Sequence, residues 1–415
     1  MTNLKELFDT YDLELTPEVR NLLEEDKDTL LIPNKVEAKL KYITKEDLKK
    51  VHKDEQTAKE LILTVLSNLS DTYYLSKTNY ATDAQKEGFK ALSSIILNEQ
   101  TNVNKKVKIY VKILDLLIKY NIIEKGRNYS VGKRSNEYRL TKTYFGKGVT
   151  SYILKTETIL YRNRKKREEN LEKVLKCPIA KNELLNRAIT KFPTQEEAKT
   201  YLVKLAKENI TNKRGKKIVY LNKRNPKDFP DCVFVEDYLI ILDYLQRVTI
   251  PIIVGENGGN RVITGFNFIP SVLRGLIKVG GEYLVEADYS CLHPNIVQFI
   301  YGGSNQQMIS HDIVADYLGI TRQEAKMEHL SFFNKDWESM MRSPLFKYYA
   351  TNEPKMMENL YYDKKEKGYK STSKDCFYFE TELMRENIKD ITALGITVCY
   401  VFDALLVKPQ FLDKV

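Results

Sequence analysis

Cysteine and histidine are both sparse in this 415-residue chain, with five and four copies, and neither is patterned. Cys177, Cys232, Cys291, Cys376 and Cys399 are scattered, none in a Cys-x-x-Cys pair, and no histidine falls at zinc-ligand spacing from one. A disulfide-stapled domain and a zinc finger are therefore excluded; the expectation is free thiols in a reducing cytoplasm and no structural metal. Apolar runs are too short to span a bilayer, and the opening "MTNLKELFDTYDLEL" lacks the basic-then-apolar layout of a leader, so no membrane association and a cytoplasmic location are expected. No GxxxxGK[ST] is present, which sets aside a phosphate-loop ATPase. Repeats and low-complexity linkers are missing too. "YDLEL" offers one Asp-x-Glu in a helical context without partner carboxylate motifs, too little for an exonuclease.

What is there points to a polyanion. Apolar residues make up 42% of the chain, enough for the cores of two or three units, and the net charge is +10 with a pI near 9.0. Residues 1–80 read as helices, "EQTAKELILTVLSNLS" having the clearest 3.6-residue period. In residues 81–145, "AQKEGFKALSSIIL" and "KVKIYVKILDLLIKY" read as two amphipathic helices, followed by a basic hairpin in "NIIEKGRNYSVGKRSNEYRL". Helix, helix and hairpin in that order resemble a winged helix-turn-helix. Lys105, Lys106 and Lys108 would open its recognition helix, and Arg127, Lys133 and Arg134 would lie on the wing, where flexible cations reach phosphates. The plainer alternative is a small helical unit with a solvated hairpin.

Residues 146–254 read as a basic helical and linker region. "YRNRKKREENLEKVL" predicts a charged helix, and "TNKRGKKIVYLNKRNPKD" a loop, strand and loop carrying Lys213, Arg214, Lys216 and Lys217. From residue 255 to 415 the chemistry-bearing signals crowd together. A glycine-rich turn, "GENGGNRVITGFNFIP", leads to a predicted helix "SVLRGLIKV" containing Arg274. "YLVEADYSCLHP" puts Asp288 at the end of what reads as a buried strand. In "LGITRQEAKMEHLSFFN" a capping box, Thr321 with Glu324, starts a helix on which Arg322, Lys326, then His329 or Leu330, then Phe333 share one face. Two cations and then an aromatic suit a triphosphate followed by a base. "ITVCYVFDALLVKP" makes two apolar strands with Asp403 at their bend, where a carboxylate is costly unless a cation faces it.

These pieces, in this order, resemble the palm and fingers of family A DNA polymerases and of phage-type single-subunit RNA polymerases, over roughly residues 255–412. "VEADYSCLHPNI" resembles the first palm motif, "RQEAKMEHLSFFN" the nucleotide-binding fingers helix, and "VFDALLV" the His-Asp-Glu palm hairpin. The resemblance implies an α+β chain: a mainly helical N-terminal half with a winged-helix-like unit, residues 146–254 as a thumb-like or template-binding region, then a right-hand polymerase palm with reduced fingers. It implies a template-directed DNA polymerase, or a primase-like enzyme, of a phage or mobile element that uses Mg2+ or Mn2+ in a two-metal mechanism. Asp288 and Asp403, with the Tyr289 carbonyl, would be the ligands; Arg322 and Lys326 would meet the triphosphate, and Phe333 or Phe332 would stack on the base. His293 replaces the family's sugar-gate glutamate, and Phe402 and Ala404 replace the histidine and glutamate of the hairpin. Expected partners are nucleic acid, DNA foremost, and nucleoside triphosphates. The chain ends soon after Asp403, which predicts a truncated or split product whose palm a second polypeptide completes. The alternatives are a single-subunit RNA polymerase, and a degenerate polymerase fold or winged-helix initiator that only binds DNA.

Overall fold

The apolar run after Asp54 forms the central helix of the first of two units into which the chain divides. The computed structural model describes residues 4–25, 27–77, 81–102, 108–130, 135–212, 215–220, 232–255, 259–304 and 307–415. One unit comprises Met1–Glu172, Lys191–Thr249 and Ile269–Ile277, and the other Lys173–Thr190, Ile250–Phe268 and Lys278–Val415. Helix accounts for 56% of the described residues and no sheet among them exceeds three strands, so the fold is α+β.

In the first unit β1 (Thr29–Pro33) lies beside α1 (Glu55–Ser67), which Asp54 caps by accepting from the Thr57 N–H at 2.8 Å. Ala58, Leu61, Ile62, Leu63, Val65 and Leu66 of α1 are all buried, the all-round apolar pattern of a core helix. Then come β2 (Lys90–Ala91), α2 (Ser94–Thr101), α3 (Ile109–Lys119), β3 (Ile123–Lys125) and β4 (Glu137–Leu140), with β4 between β2 and β3 in one sheet. "AQKEGFKALSSIIL" is therefore not one helix. Gly88 breaks it at φ +87°, where a Cβ would come within 2.6 Å of the Phe145 ring, and β2 follows. β5 (Val149–Ile153) pairs with β1, and α4 (Glu157–Lys176) is the expected charged helix. The buried Glu60 of α1 accepts from the N–H groups of Lys155 and Thr156 at 2.8 and 2.9 Å, satisfying donors at the entry to α4.

In the second unit α5 (Pro178–Ala188) packs on a sheet made by the C-terminal part of the chain. "SVLRGLIKV", whose first seven residues belong to the first unit, is helical only over Ser271–Arg274, and Lys278–Val279 is strand, paired with Glu282–Tyr283. Next come β6 (Val285–Asp288), α6 (Leu292–Ile300), α7 (His311–Leu318), α8 (Arg322–Phe332), α9 (Leu345–Asn352), α10 (Ser371–Ala393), β7 (Val398–Val401) and β8 (Ala404–Val407). The sheet is antiparallel with β8 in the centre. Every residue of β7 and β8 is buried, whereas β6 alternates between half-buried and exposed. The strand leading to Asp288 is thus an edge strand, not the buried one its sequence suggests. Among the described residues no helix is long and apolar enough to cross a membrane.

The other edge, β7, is closed by side chains of α5. Asn182 and Asn186 donate to the Val398 carbonyl at 2.8 and 2.7 Å, and Glu183 accepts from the Tyr400 N–H at 2.8 Å. Complete burial pushes the Glu183 carboxyl up to about 8, against its hydrogen bonds. The native state thus holds a proton that the unfolded chain has released, so this group's contribution is intact below 4.5 and falls as pH rises through about 8. Glu183→Gln keeps an acceptor for Tyr400 and cannot ionise. Between about pH 5 and about pH 9 the wild-type Tm should fall more than that of the variant; parallel melting curves from the two proteins would refute the assignment.

Candidate functional site

Asp288 closes β6, and Asp403 sits in the β7–β8 loop. Strand register brings them together: Asp288 is the cross-strand partner of Ala404, next to Asp403, and the Tyr289 N–H donates to the Asp403 carbonyl at 3.3 Å. Both aspartates are exposed. Val401 pairs with Ala404, leaving Phe402 and Asp403 as a two-residue loop. Phe402 has φ +55°, a conformation that suits hairpin twist but costs a non-glycine residue roughly 1–2 kcal/mol. Its ring offsets that cost by packing against Phe268, Tyr400 and the Arg261 guanidinium, at 5.6, 6.0 and 5.4 Å.

Behind the loop lies a buried charge cluster. Glu380, on α10, accepts two hydrogen bonds from Arg261 at 2.8 and 2.6 Å and one from His293 Nε2 at 2.8 Å. Arg261 also stacks 3.7 Å over the Phe377 ring. Burial draws the Glu380 carboxyl upward, but the His293 hydrogen bond and the Arg261 charge outweigh it and hold the group below its usual range. At Asp403 the Arg261 charge acts too weakly to offset burial. Although it opens to the surface, the dense protein around it and then the negative field of Glu380 push its carboxyl above the usual range. An anion held this way gains from a facing cation, so hard oxygen donors at Asp288 and Asp403 fit a divalent metal. The buried Tyr400 hydroxyl, two residues before Phe402, has no hydrogen-bond partner among the described residues.

The remaining predicted groups divide. His293, the residue at the gate position, is half-buried on α6 and tied to Glu380; the Tyr289 hydroxyl accepts from Asn387 Nδ2 at 2.6 Å. On α8 the predicted capping box is present, and Arg322 and Lys326 are exposed, Arg322 reaching Asp312 at 3.2 Å. Phe333 is not on their face. It caps α8 and is buried with Phe332 against Tyr349, at centroid distances of 4.9 and 5.2 Å, so neither phenylalanine can stack on a base; the exposed residue one turn beyond Lys326 is Leu330. The helix ends at Phe332, so the face does not extend as far as the period predicted.

In the first unit Lys108 is exposed at the N-cap of α3, and Lys112, one turn on and unremarked in the sequence, is exposed with it. Arg127 is already engaged, making two hydrogen bonds to Glu137 at 2.8 and 2.9 Å, so it is not an open phosphate ligand. Lys217 is exposed, and Lys216 and Arg274 are half-buried. Lys105, Lys106, Lys133, Arg134, Lys213 and Arg214 lie outside the described residues.

Sequence reasoning also missed a soft-donor cluster. Cys291, His311 and His329 are buried together, their ligand atoms all within 4.8 Å of one another. Burial pushes the Cys291 thiol up to about 12 and His329 down to about 4; His311 is lowered by burial and by the charges of Arg322 and Lys326. Arg261 and Glu380 were missed too, because nothing local marks an arginine and a glutamate so distant in sequence as partners. Compared with protein-family models, curated proteins and solved structures, the chain gave no match.

The charge cluster predicts a non-additive pair. Arg261→Met strands a buried carboxylate with one partner and should destabilise the protein by roughly 3–5 kcal/mol in urea titrations. Arg261→Met combined with Glu380→Leu should cost much less than the sum of the single changes. Additive costs would show that the two side chains are not energetically coupled.

Proposed function

We propose that this chain is a nucleotidyltransferase, a template-directed DNA polymerase or primase-like enzyme. The observation that carries the reading is the register that sets Asp288 beside the Asp403 loop, one carboxylate at a strand end and one in the adjoining two-residue turn. A hard divalent cation, Mg2+ or Mn2+, held by Asp288 and Asp403 would activate the attacking 3'-hydroxyl and neutralise the triphosphate. The chain's own groups bind and orient. Arg322 and Lys326, exposed on α8, suit the β- and γ-phosphates and stabilise charge as the bond between the α-phosphorus and its bridging oxygen breaks and pyrophosphate leaves. Glu380 and Arg261 hold His293 at the start of α6, where it would face the sugar. With the imidazole engaged at Nε2, this position lacks the carboxylate that rejects a 2'-hydroxyl, so RNA synthesis is the second reading.

The first unit supports a nucleic-acid partner. α1, β2, α2, α3, β3 and β4, with β4 central in the sheet, follow the order of a winged helix, and Lys108 and Lys112 line the outer face of α3. A protein that bound DNA by this unit alone, with an inert second unit, would show duplex affinity without nucleotide incorporation. Incubation with labelled dNTP or NTP pools, Mg2+ or Mn2+, and primed or unprimed strands separates the three cases.

Asp288→Asn and Asp403→Asn should each lower incorporation by several orders of magnitude. For Asp403 the stability effect should run the other way. Its raised pKa means that ionisation at neutral pH opposes folding, so Asp403→Asn should raise the Tm at pH 7 while abolishing synthesis. Undiminished synthesis by either variant would sink the assignment.

Lys326→Ala and Arg322→Ala should raise the KM for nucleotide and lower kcat, because their charges meet a triphosphate that gains charge toward the transition state. A change confined to template affinity, read by fluorescence anisotropy, would make α8 a nucleic-acid contact instead.

A further inference from the structure

Cys291, His311 and His329 come from three separate elements: the residue before α6, the first residue of α7 and the last turn of α8. Cys291 Sγ lies 3.5 Å from His311 Nδ1, and that nitrogen lies 2.9 Å from His329 Nδ1. Hydrogen bonding accounts for this badly. A neutral imidazole nitrogen carries either one hydrogen or one in-plane lone pair, so His311 Nδ1 cannot serve a thiol and a second imidazole well at once. A single ion between the three atoms satisfies all of them.

We propose that Cys291, His311 and His329 form a binding site for one divalent ion of borderline softness, of the Zn2+ class. Tetrahedral bonds of about 2.3 Å to sulfur and 2.0–2.1 Å to nitrogen set donor atoms roughly 3.6 Å (S···N) and 3.3 Å (N···N) apart. The Cys291–His311 separation already matches, the two imidazoles need to part by only a few tenths of an ångström, and Cys291 and His329, within 4.8 Å of each other, need at most about an ångström of closure. The surroundings are those of a second shell. With Nδ1 as ligand, His329 carries its proton on Nε2, which lies 2.7 Å from the Tyr349 hydroxyl, and Phe332 and Phe333 hold the Tyr349 ring from two sides. Cys291 sits in the left-handed region at φ +59°, and Asn295 fixes it there, its Nδ2 donating to the Cys291 and Ile309 carbonyls at 2.8 and 2.9 Å.

Binding releases the Cys291 thiol proton to solvent and leaves both imidazoles neutral with their protons on Nε2. Three protein donors leave a fourth coordinate for water. A thiolate and two imidazoles select against Mg2+, so this centre is chemically distinct from the Asp288 and Asp403 pair and stands without the polymerase reading. An ion here joins the starts of α6 and α7 to the end of α8, tying the chain just after Asp288 to the helix that carries Arg322 and Lys326.

The test uses the full chain, freed of metal and titrated with Co2+ as a spectroscopic probe, with metal content after Zn2+ loading and desalting read by mass spectrometry. The expected result is about one ion per chain and a thiolate-to-cobalt charge-transfer band. Cys291→Ser should lose the band and Cys177→Ser keep it; Tyr349→Phe should keep it with affinity weakened roughly 10- to 100-fold. Zn2+ should also raise the Tm of the wild type and not that of Cys291→Ser. No charge-transfer band in the wild type at excess Co2+ overturns the proposal whatever the variants do, as does a band that survives in Cys291→Ser.

Discussion

Glu380 is the constraint on which the second unit turns. A carboxylate buried this deeply is tolerated only while a positive charge and hydrogen-bond donors face it, so Arg261 and His293 have to stay in place, and with them the segments that carry them. The requirement joins α10, the Val262–Ile263 strand region and the start of α6 around the hairpin that carries Asp403. Arg261 does two jobs there, pairing with Glu380 through its edge and stacking on Phe377 through its face. Lysine could not do both. The cluster also explains why Asp403 differs electrostatically from Glu380: Arg261 lowers both carboxyls, but only at Glu380 do it and the His293 hydrogen bond outweigh burial.

Two residue groups of opposite chemical character meet the short stretch between Asp288 and Cys291 in sequence. The carboxylates of Asp288 and Asp403 are hard and exposed, whereas the Cys291 group is soft and buried, with its donor atoms gathered within 4.8 Å. Each collects residues far apart in sequence onto rigid elements, the strand ends in one case and helix termini in the other. Cysteine–histidine spacing in the sequence excluded a zinc finger and said nothing of a site assembled by folding.

What could be read from the sequence was what local rules govern. The capping box at Thr321, the apolar period of α1, the charged α4 and the β7–β8 hairpin all follow from propensity, periodicity or turn chemistry within a dozen residues, and all are present. The failures occurred where tertiary context prevailed. Phe333 has the right spacing for the face of Arg322 and Lys326, but the helix ends one residue earlier and the Tyr349 pocket takes the ring. β6 looked buried because Val285 and Leu284 are apolar, yet it is an edge strand with one exposed face. Gly88 cuts short a helix that apolar periodicity alone would continue, and the helix expected over "SVLRGLIKV" stops at Arg274. The partnership of Glu380, Arg261 and His293 has no local signature at all.

The left-handed backbone of Phe402 sets the position of Asp403 by packing, not by intrinsic preference. Glycine would adopt that conformation without strain; phenylalanine keeps it because Phe268, Tyr400 and Arg261 surround its ring. Asp403 is therefore placed by contacts that lie outside the β7–β8 ladder, and its position answers to the Phe402 ring more than to the strand hydrogen bonds.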